Sequence, residues 1–441
     1  MLLVRACDRL VTFAQISFLL MVLSFALLES NHANAGTQTG DREFVQVQGR
    51  HFVIGSRRYA YLGTNLWYAA NLGAEGNTAG RARLVRELDS LAKLGVRNLR
   101  IMAGTEGPDD APWRISPSMQ PRPGEYNQAV LSGLDFTLVE MAKRSMRAVM
   151  CLGNYWHWSG GFAQYLNWAG VGPIPYPPPA EGGNWNTYKS YVEQFYTNAA
   201  AKAALARHIE TMVKRVNGIT QVPYTDDTTI MAWELANEPD AYENKRAFVD
   251  WVAESARLIK SLDSHHLVIS GSEGETMQDV SELPEIDYAT THIWVQNAGW
   301  YNPADPKTYR EAVKKAIASL AKSRALVAKV GKPLVLAEFG IARDLGRYEG
   351  EAPATHRLHF FNKILGRVYS AAKVSDELAG ANFWAWGGEG RPRRPGTNWS
   401  VGDDFTGDPP HEPQGWYSIY DKDIDMALLL KRYSGLFRSI Q

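Results

Sequence analysis

The chain has 441 residues, and its 47 basic and 47 acidic side chains give a formal net charge of zero at pH 7. This balance excludes the charge-driven binding of nucleic acid, anionic lipid or a strongly acidic polymer, and it favours a neutral ligand. The 14 Trp and 20 Tyr residues supply flat faces of the kind that pack on sugar rings, although many of them are expected to be core.

The first 35 residues are predicted to be a secretory signal. Arg5 and Arg9 precede an apolar stretch at 11–28, and Ala33-Asn34-Ala35 offers a small-x-small cleavage site. A retained membrane anchor is the alternative, which the cleavage site disfavours. Cleavage near Ala35 would leave residues 36–441 as a secreted domain, extracellular or periplasmic, that is expected to be monomeric and free of membrane. Cys151 would be its one cysteine, so no internal disulfide is possible.

Strand-like and helix-like segments alternate along the rest of the chain. A hairpin predicted at 44–47 and 51–54 is expected to plug one end of a barrel. Strands are then predicted at 59–63, 96–101, 147–152, 230–235, 267–270, 288–292, 334–338 and 380–384. Amphipathic helices are predicted at 82–94, 131–144, 199–216, 246–262, 309–330 and 356–372. The crossover at 271–285 is too short for a clear helix.

This alternation predicts an α/β fold, a (β/α)8 TIM barrel in a single domain with long βα loops. An open doubly wound sheet is less suitable, because such sheets have fewer strands and the chain contains no G-x-G-x-x-G or Walker sequence. The longest connections run over 153–196 and 387–421. Loops of this length in a compact domain are uncommon unless they are functional, so both are expected to wall a cleft.

Polar and aromatic side chains occur where the predicted strands end. They are Asn65, Arg100, Asn154, Asn237, Glu238, His292, Glu338 and Trp384. The carboxyl ends of barrel strands meet on one face, so these side chains should converge. Two carboxylates on that rim, Glu238 and Glu338, form the pair of acidic groups that most glycosidases need to cleave a glycosidic bond. The sequence therefore predicts a glycoside hydrolase.

Several motifs carry a resemblance to a known family. They are Arg215-Val216-Asn217, the run from Ile230 to Asn237-Glu238-Pro239, Thr291-His292-Ile293-Trp294 and Leu336-Ala337-Glu338-Phe339-Gly340. Over essentially the whole mature chain the sequence resembles glycoside hydrolase family 5, and specifically its β-mannanase subfamily. The combination of Asn-Glu-Pro with Glu-Phe-Gly is specific for the family and less specific for the substrate.

The resemblance implies a role for each carboxylate. Glu238 would be the general acid/base and Glu338 the nucleophile of a retaining hydrolase, whose carboxyl groups should lie about 5–5.5 Å apart. The acid has to hold a proton near neutrality, so a raised pKa is expected for Glu238. The nucleophile has to stay ionised.

The resemblance also implies a set of substrate-binding residues. Arg100 would keep the nucleophile ionised and oriented, and Asn237 would donate to the sugar 2-hydroxyl. His292 would hold the hydrogen bonds around the acid/base. Trp384 would lie under the reacting sugar, and Trp156 is expected at a neighbouring subsite. Each of these side chains could also have a purely structural role.

Two positions depart from the family pattern. Trp294, a further candidate for substrate contact, stands where many relatives have a tyrosine that contacts the nucleophile, and Tyr301 is one candidate to supply that hydroxyl instead. Asp240 follows Asn-Glu-Pro, where many mannanases have an arginine on the leaving-group side. The leaving-group subsites are therefore expected to differ.

No metal and no cofactor are predicted. His356 and His359 share a helix face, but no third ligand can be placed beside them, so surface packing is favoured. The acidic loop 403–408 lacks the spacing of a known calcium loop and is interpreted as solvated.

The favoured function is an endo-acting β-1,4-mannanase that cleaves mannan, glucomannan or galactomannan by double displacement. An exo-acting β-mannosidase or a β-1,4-glucanase on the same scaffold stays open, as does whether the cleft is open at both ends. A non-catalytic carbohydrate-binding barrel is the alternative from another class. The paired glutamates argue against it, because a binding protein needs no acid and nucleophile.

Overall fold

A computed structural model describes residues 43–374 and 377–440 of the chain. The predicted secretory signal lies outside these residues. The described chain begins with a three-stranded antiparallel sheet of β1 (Val45–Gln48), β2 (His51–Ile54) and β3 (Arg57–Tyr59). The predicted hairpin is confirmed, and a third strand extends it.

Eight parallel strands form the centre of the fold. They are β4 (Tyr61–Asn65), β5 (Asn98–Met102), β6 (Arg147–Cys151), β7 (Ile230–Glu234), β8 (Leu267–Ile269), β9 (Ala289–Trp294), β10 (Leu334–Gly340) and β11 (Leu378–Phe383). Their hydrogen-bonded order is β8-β7-β6-β5-β4-β11-β10-β9. Bonds from Asp287 N to Val268 O at 2.8 Å and from Thr290 Oγ1 to Ser272 O at 2.9 Å bridge the two ends of that order. The sheet is a nearly closed (β/α)8 barrel, as predicted.

Helices connect the strands on the outside of the barrel. The α-helices are α1 (Ala69–Leu72), α2 (Thr78–Leu94), α3 (Gln128–Ala142), α4 (Gly161–Trp168), α5 (Trp185–Val192), α6 (Ala199–Val213), α7 (Lys245–Leu262), α8 (Met277–Ser281), α9 (Tyr309–Val330), α10 (Thr355–Lys373) and α11 (Ile424–Arg438). The six predicted helices are present, and α8 is the short helix of the fifth crossover. Among the described residues, no helix is both long and apolar enough to cross a membrane.

Asparagine caps set where several barrel helices begin. The side chains of Asn77, Asn127, Asn198 and Asn244 each accept a hydrogen bond from a backbone N–H in the first turn of the following helix. At the other end of α2, Gly95 has a φ of 81°, a left-handed conformation that glycine adopts without penalty. These local signals fix the length of the helices and thus the position of the strands between them.

The N-terminal sheet covers one end of the barrel. Val45 and Phe52 pack in one buried cluster with Leu267, Val335 and Ala379, which lie near the amino ends of β8, β10 and β11. Burial of such side chains contributes about 1.5–3 kcal/mol each. The predicted plug is confirmed, and the carboxyl ends of the strands are left to build a site.

The two long loops stand at the carboxyl ends, as predicted. The loop after β6 contains α4 and α5, and the loop after β11 is held at its base by the paired strands β12 (Trp386–Gly388) and β13 (Ile419–Tyr420). Both loops contribute side chains to a cleft above the barrel. Helices α4 and α5 were not predicted, because the hydrophobic pattern of this loop is short and interrupted by Gly, Pro and Trp.

The acidic loop 403–408 is more ordered than predicted. Asp408 is buried, and its carboxylate accepts hydrogen bonds from Gly415 N at 2.8 Å and Tyr417 N at 2.5 Å. The interpretation of this loop as solvated is therefore wrong at Asp408, whose hydrogen bonds connect two parts of the long loop after β11.

His359 packs against a neighbouring helix, as expected, because its Nδ1 lies 2.7 Å from the Tyr309 hydroxyl.

Candidate active site

Arg100 is the hub of the polar cluster at the carboxyl ends of the strands. Its Nε and Nη2 donate to the two oxygens of Glu234 at 2.7 and 2.6 Å, and its Nη1 donates to Glu338 Oε1 at 2.5 Å. Nη2 also donates to Asn237 Oδ1 at 2.8 Å. One buried guanidinium thus holds side chains from β7 and β10 and from the loop after β7. Leaving such a buried guanidinium unpaired would cost about 3–5 kcal/mol, so its bonds hold the cluster together.

Asn237 is fixed by contacts on both atoms of its amide. Its oxygen accepts from Arg100, and its Nδ2 donates to Asn154 Oδ1 at 3.1 Å. Asn154 donates in turn to Ser159 Oγ at 3.0 Å. An amide has two N–H groups, so one remains for a ligand above the site. This arrangement suits the predicted contact with a sugar hydroxyl.

Glu238 is held by both of its oxygens. Oε1 lies 2.6 Å from His292 Nδ1, and Oε2 accepts a hydrogen bond from Trp156 Nε1 at 2.5 Å. Its backbone has a φ of 48°, which costs a residue with a Cβ about 1–2 kcal/mol. Such strain persists only where the surroundings hold it, and here it aims the carboxyl into the cleft.

His292 brings the two catalytic candidates together. Its Nδ1 lies 2.6 Å from Glu238 Oε1 and 3.5 Å from Glu338 Oε2. A third carboxylate, Glu273, lies 4.0 Å from the same nitrogen. The predicted convergence of Glu238 and Glu338 on one site is therefore present in the structure, with the imidazole between them.

The charges of this cluster shift its pKa values. Burial alone would lower the pKa of His292, but the negative charges of Glu338 and Glu238 raise that pKa to about 9. Burial raises the pKa of Glu338 to about 7, against the opposing charges of His292 and Arg100. Burial also raises the pKa of Glu273 to about 7, together with the neighbouring charge of Glu238.

The expected raised pKa of Glu238 is wrong for the free site. Burial would raise the pKa of Glu238, but the hydrogen bond and positive charge of His292 outweigh it and lower that pKa. The proton of the Glu238–His292 pair therefore resides on the imidazole when the cleft is empty. The sequence does not reveal this shift, because it does not place the imidazolium against the carboxylate.

Glu238, Glu273 and His292 also offer one potential metal-ligand atom each within 4.8 Å of one another. The protonated His292 already supplies a positive charge to these carboxylates, and the absence of a cofactor stays a prediction.

Tryptophans form the walls around the carboxylates. Trp384 is buried at the end of β11, with the rings of Trp158 and Trp294 packed edge-on at centroid distances of 6.4 and 5.8 Å. Trp294 also contacts Tyr417 at 4.9 Å. The suggestion that Tyr301 replaces the missing tyrosine is wrong, because its hydroxyl lies 3.5 Å from His356 Nδ1. The nucleophile candidate is held instead by Arg100 and His292.

A lysine lies beside Asp240, the residue after Asn-Glu-Pro at which the sequence departs from the family pattern. Lys189 of α5 places its Nζ 3.7 Å from Asp240 Oδ2 and 5.9 Å from the centre of the Trp156 ring. A cation from the loop after β6 thus pairs with the acidic side chain that follows Asn-Glu-Pro. Both side chains are partly exposed, so the pair itself contributes about 0–1 kcal/mol.

The cleft over these residues has a volume of about 900 Å³. That is large enough for a short saccharide. The side chains lining it include Trp156, Trp185, Trp294, Trp300, Trp384 and Trp416, together with Glu238, Glu273, Glu338 and Glu412.

Sequence reasoning missed Glu234, Glu273, Glu412 and Lys189 as members of the site. Glu234 could have been predicted, because a carboxylate in an otherwise apolar strand requires a buried partner. Glu412 and Lys189 lie in long loops, whose path the sequence does not determine. Glu273 lies in the segment Gly271-Ser272-Glu273-Gly274, and its approach to His292 depends on the turn after β8.

A (β/α)8 barrel that presents paired carboxylates and tryptophans at its carboxyl end has the architecture of the barrel glycosidases. Residues 42–441 match the family model described as GH family 5 beta-mannosidase-like. The chain therefore belongs to glycoside hydrolase family 5, and it is a glycoside hydrolase.

Individual relatives are similar over most of their length. Mannan endo-1,4-beta-mannosidase 3 of Solanum lycopersicum is 31% identical over 387 residues, which covers 83% of this chain and 86% of that protein. The crystal structure of a glycoside hydrolase family 5 mannosidase from Rhizomucor miehei is 36% identical with a TM-score of 0.84, over 91% of this chain and 99% of that one. A mutant of the Rhizomucor enzyme in complex with mannosyl-fructose has a TM-score of 0.85 at 36% identity, over 91% of this chain and 98% of that one.

Proposed function

We propose that this protein is an exported enzyme that hydrolyses β-1,4-mannosidic linkages of mannan-type polysaccharides or oligosaccharides with retention of anomeric configuration. The observation that carries the proposal is the contact of one imidazole nitrogen with both Glu238 and Glu338. The names of the relatives support the substrate class, and the predicted secretory signal supports export.

In the first step the Glu338 carboxylate attacks the anomeric carbon, and the bond from that carbon to the leaving oxygen breaks. Glu238 gives the leaving oxygen a proton, which it takes up from His292 as substrate displaces water from the cleft. A mannosyl ester of Glu338 forms. In the second step Glu238 removes a proton from water, the water oxygen bonds to the anomeric carbon, and Glu338 leaves as a carboxylate.

Three further residues position the reacting groups or stabilise the transition state. Arg100 holds the Glu338 carboxylate in position, and the free N–H of Asn237 donates to the sugar 2-hydroxyl as the oxocarbenium-like state forms. Trp384 supplies the apolar surface under the reacting ring.

A bell-shaped pH dependence of kcat/KM is expected, with limbs near pH 7 and pH 9. Below the lower limb Glu338 is protonated and cannot attack, because its pKa is raised to about 7. Above the upper limb His292, with its pKa raised to about 9, has lost the proton that the pair must deliver. The measurement is the rate of mannotriose hydrolysis between pH 5 and pH 10.

The His292→Ala variant separates the two limbs. Its alkaline limb is expected to move to lower pH, since the proton then resides on a carboxyl group alone. The exposed His265→Ala variant is the control and should keep the parent profile. An alkaline limb that is the same in all three proteins would contradict the assignment of His292.

The proposed function is tested by following mannotriose or ivory-nut mannan hydrolysis by proton NMR. Retention predicts that the β-anomer of the product appears first and then mutarotates. The α-anomer as first product would contradict the double displacement. Equal rates on cello-oligosaccharides would favour the β-1,4-glucanase, and no release of reducing ends would favour the non-catalytic barrel.

A further inference from the structure

The two loops that wall the cleft touch each other through a pair of histidines. His157 lies in the loop 153–196 and His411 in the loop 387–421, and their rings meet edge-on with centroids 5.1 Å apart. His157 is fully buried, and the Nδ1 of His411 is buried as well. Among the residues that the structure describes, no hydrogen bond or ion pair joins these two loops. The contact between the rings is therefore a main connection between the loops.

The two rings have no acceptor for the protons that they would carry as cations. Both nitrogens of His157 and the Nδ1 of His411 are buried without a hydrogen-bond partner among the described residues. A neutral imidazole has one N–H, whereas an imidazolium has two N–H donors and a positive charge, which are costly to bury without a partner. The contact therefore suits neutral rings and is weakened when either ring takes up a proton.

The groups around the pair supply no negative charge that would stabilise a cation. From the loop after β6 and from α5, Tyr176 and Tyr188 place their rings against His157 at 5.6 Å. From the loop after β5, the buried guanidinium of Arg114 adds a positive charge that acts on His157. From the loop after β11, Glu412 is the adjacent acidic residue, and burial raises its pKa well above the ordinary value, so it is neutral in mild acid.

These surroundings lower the pKa of both imidazoles. Burial lowers the pKa of His411 to about 4, and burial, the neighbouring His411 and the charge of Arg114 lower the pKa of His157 well below its ordinary value. In separated loops each ring would return to its ordinary pKa of about 6.5. The closed loops thus favour the neutral rings, and their contact loses stability as the pH falls from about 6.5 towards the lowered values. At pH 5 this linkage favours separation by about 30-fold for each imidazole.

We propose that the contact between His157 and His411 is an acid-sensitive latch, which holds the two cleft loops together at neutral pH and lets them separate in mild acid. Both loops send side chains into the cleft, among them Trp156, Trp158 and Pro409. Separation of the loops therefore opens one wall of the cleft. The latch does not depend on the proposed function, because it involves no substrate and no reaction step.

The test measures the distance between the two loops. Spin labels are attached through Glu181→Cys in one loop and Val401→Cys in the other, at two exposed positions, and double electron–electron resonance gives the label-to-label distances at pH 7.5 and pH 5. Cys7→Ser and the burial of Cys151 leave no other cysteine to be labelled. One distance population is expected at pH 7.5, and a second population at longer distance is expected at pH 5. The same distance distribution at both pH values would overturn the inference.

The double variant His157→Phe with His411→Phe tests whether the histidines are responsible. Phenylalanine keeps an edge-on ring contact and takes up no proton, so this variant should keep its neutral-pH distance at pH 5. The exposed His265→Phe variant is the matched control and should separate in acid as the parent protein does. Equal separation in the double variant and the parent would overturn the role of the pair. Circular dichroism at both pH values checks the fold, and the single variant His411→Phe, which should respond to acid more weakly than the parent, gives the same comparison with one ring changed.

Discussion

Replacing Glu338 with alanine is expected to lower kcat on mannan oligosaccharides by about 10⁴-fold or more while the fold stays intact. The variant has no carboxylate to form the glycosyl ester, so the first step loses its nucleophile. The fold should survive because Arg100 keeps its paired bonds to Glu234, at 2.7 and 2.6 Å, and is not left as an unpaired buried charge. Turnover and the unfolding temperature are the measurements.

Azide identifies the face on which Glu338 acts. A small anion that enters the space left by the missing carboxylate attacks from the α face, so Glu338→Ala should form α-mannosyl azide from an activated β-mannoside. Glu338→Gln fills that space and should give little rescue. Full activity in Glu338→Ala, or a β-mannosyl azide as its product, would contradict the assignment of the nucleophile.

The fold could be predicted because its signals are local. Apolar runs at strand spacing and amphipathic helices each extend over a few residues, and a parallel sheet follows from their alternation. Arg100, Glu238 and Glu338, which lie in or after the carboxyl-terminal parts of their strands, could be placed on one rim for the same reason. Eight parallel strands of a barrel leave no other place for side chains at their carboxyl ends.

The electrostatics of the site could not be predicted, because they depend on distances between distant parts of the chain. The direction of the pKa shift at Glu238 was wrong, since it is set by an imidazole 54 positions later in the sequence. Tyr301 was placed wrongly for a similar reason. Tyr301 is close to Trp294 in the sequence, but its side chain faces α10, where its hydroxyl contacts His356.

The shape of the cleft could not be predicted from the sequence either. Long loops at 153–196 and 387–421 predict walls, but only their folded paths show that His157 meets His411. The sequence left open whether the cleft continues past the reacting sugar, and product analysis decides it.

Replacing Glu238 with alanine is expected to have an effect that depends on the leaving group. Mannotriose, whose leaving sugar needs a proton, should be cleaved about 10²- to 10⁴-fold more slowly. A 2,4-dinitrophenyl β-mannoside needs no such proton, so its first step should be nearly unchanged. The second step then slows, because no base activates water, and a burst of dinitrophenol should precede a slow steady state.

Azide should rescue Glu238→Ala with the opposite stereochemistry to that expected for Glu338→Ala. The mannosyl ester of Glu338 still forms in this variant, and azide attacks it from the β face, where Glu238 stood, to give β-mannosyl azide. Trp156→Phe removes the 2.5 Å hydrogen bond to Glu238 Oε2 and is the matched control, which should keep water as acceptor. An equal loss on both substrates, or an α-mannosyl azide product, would show that Glu238 is not the acid/base.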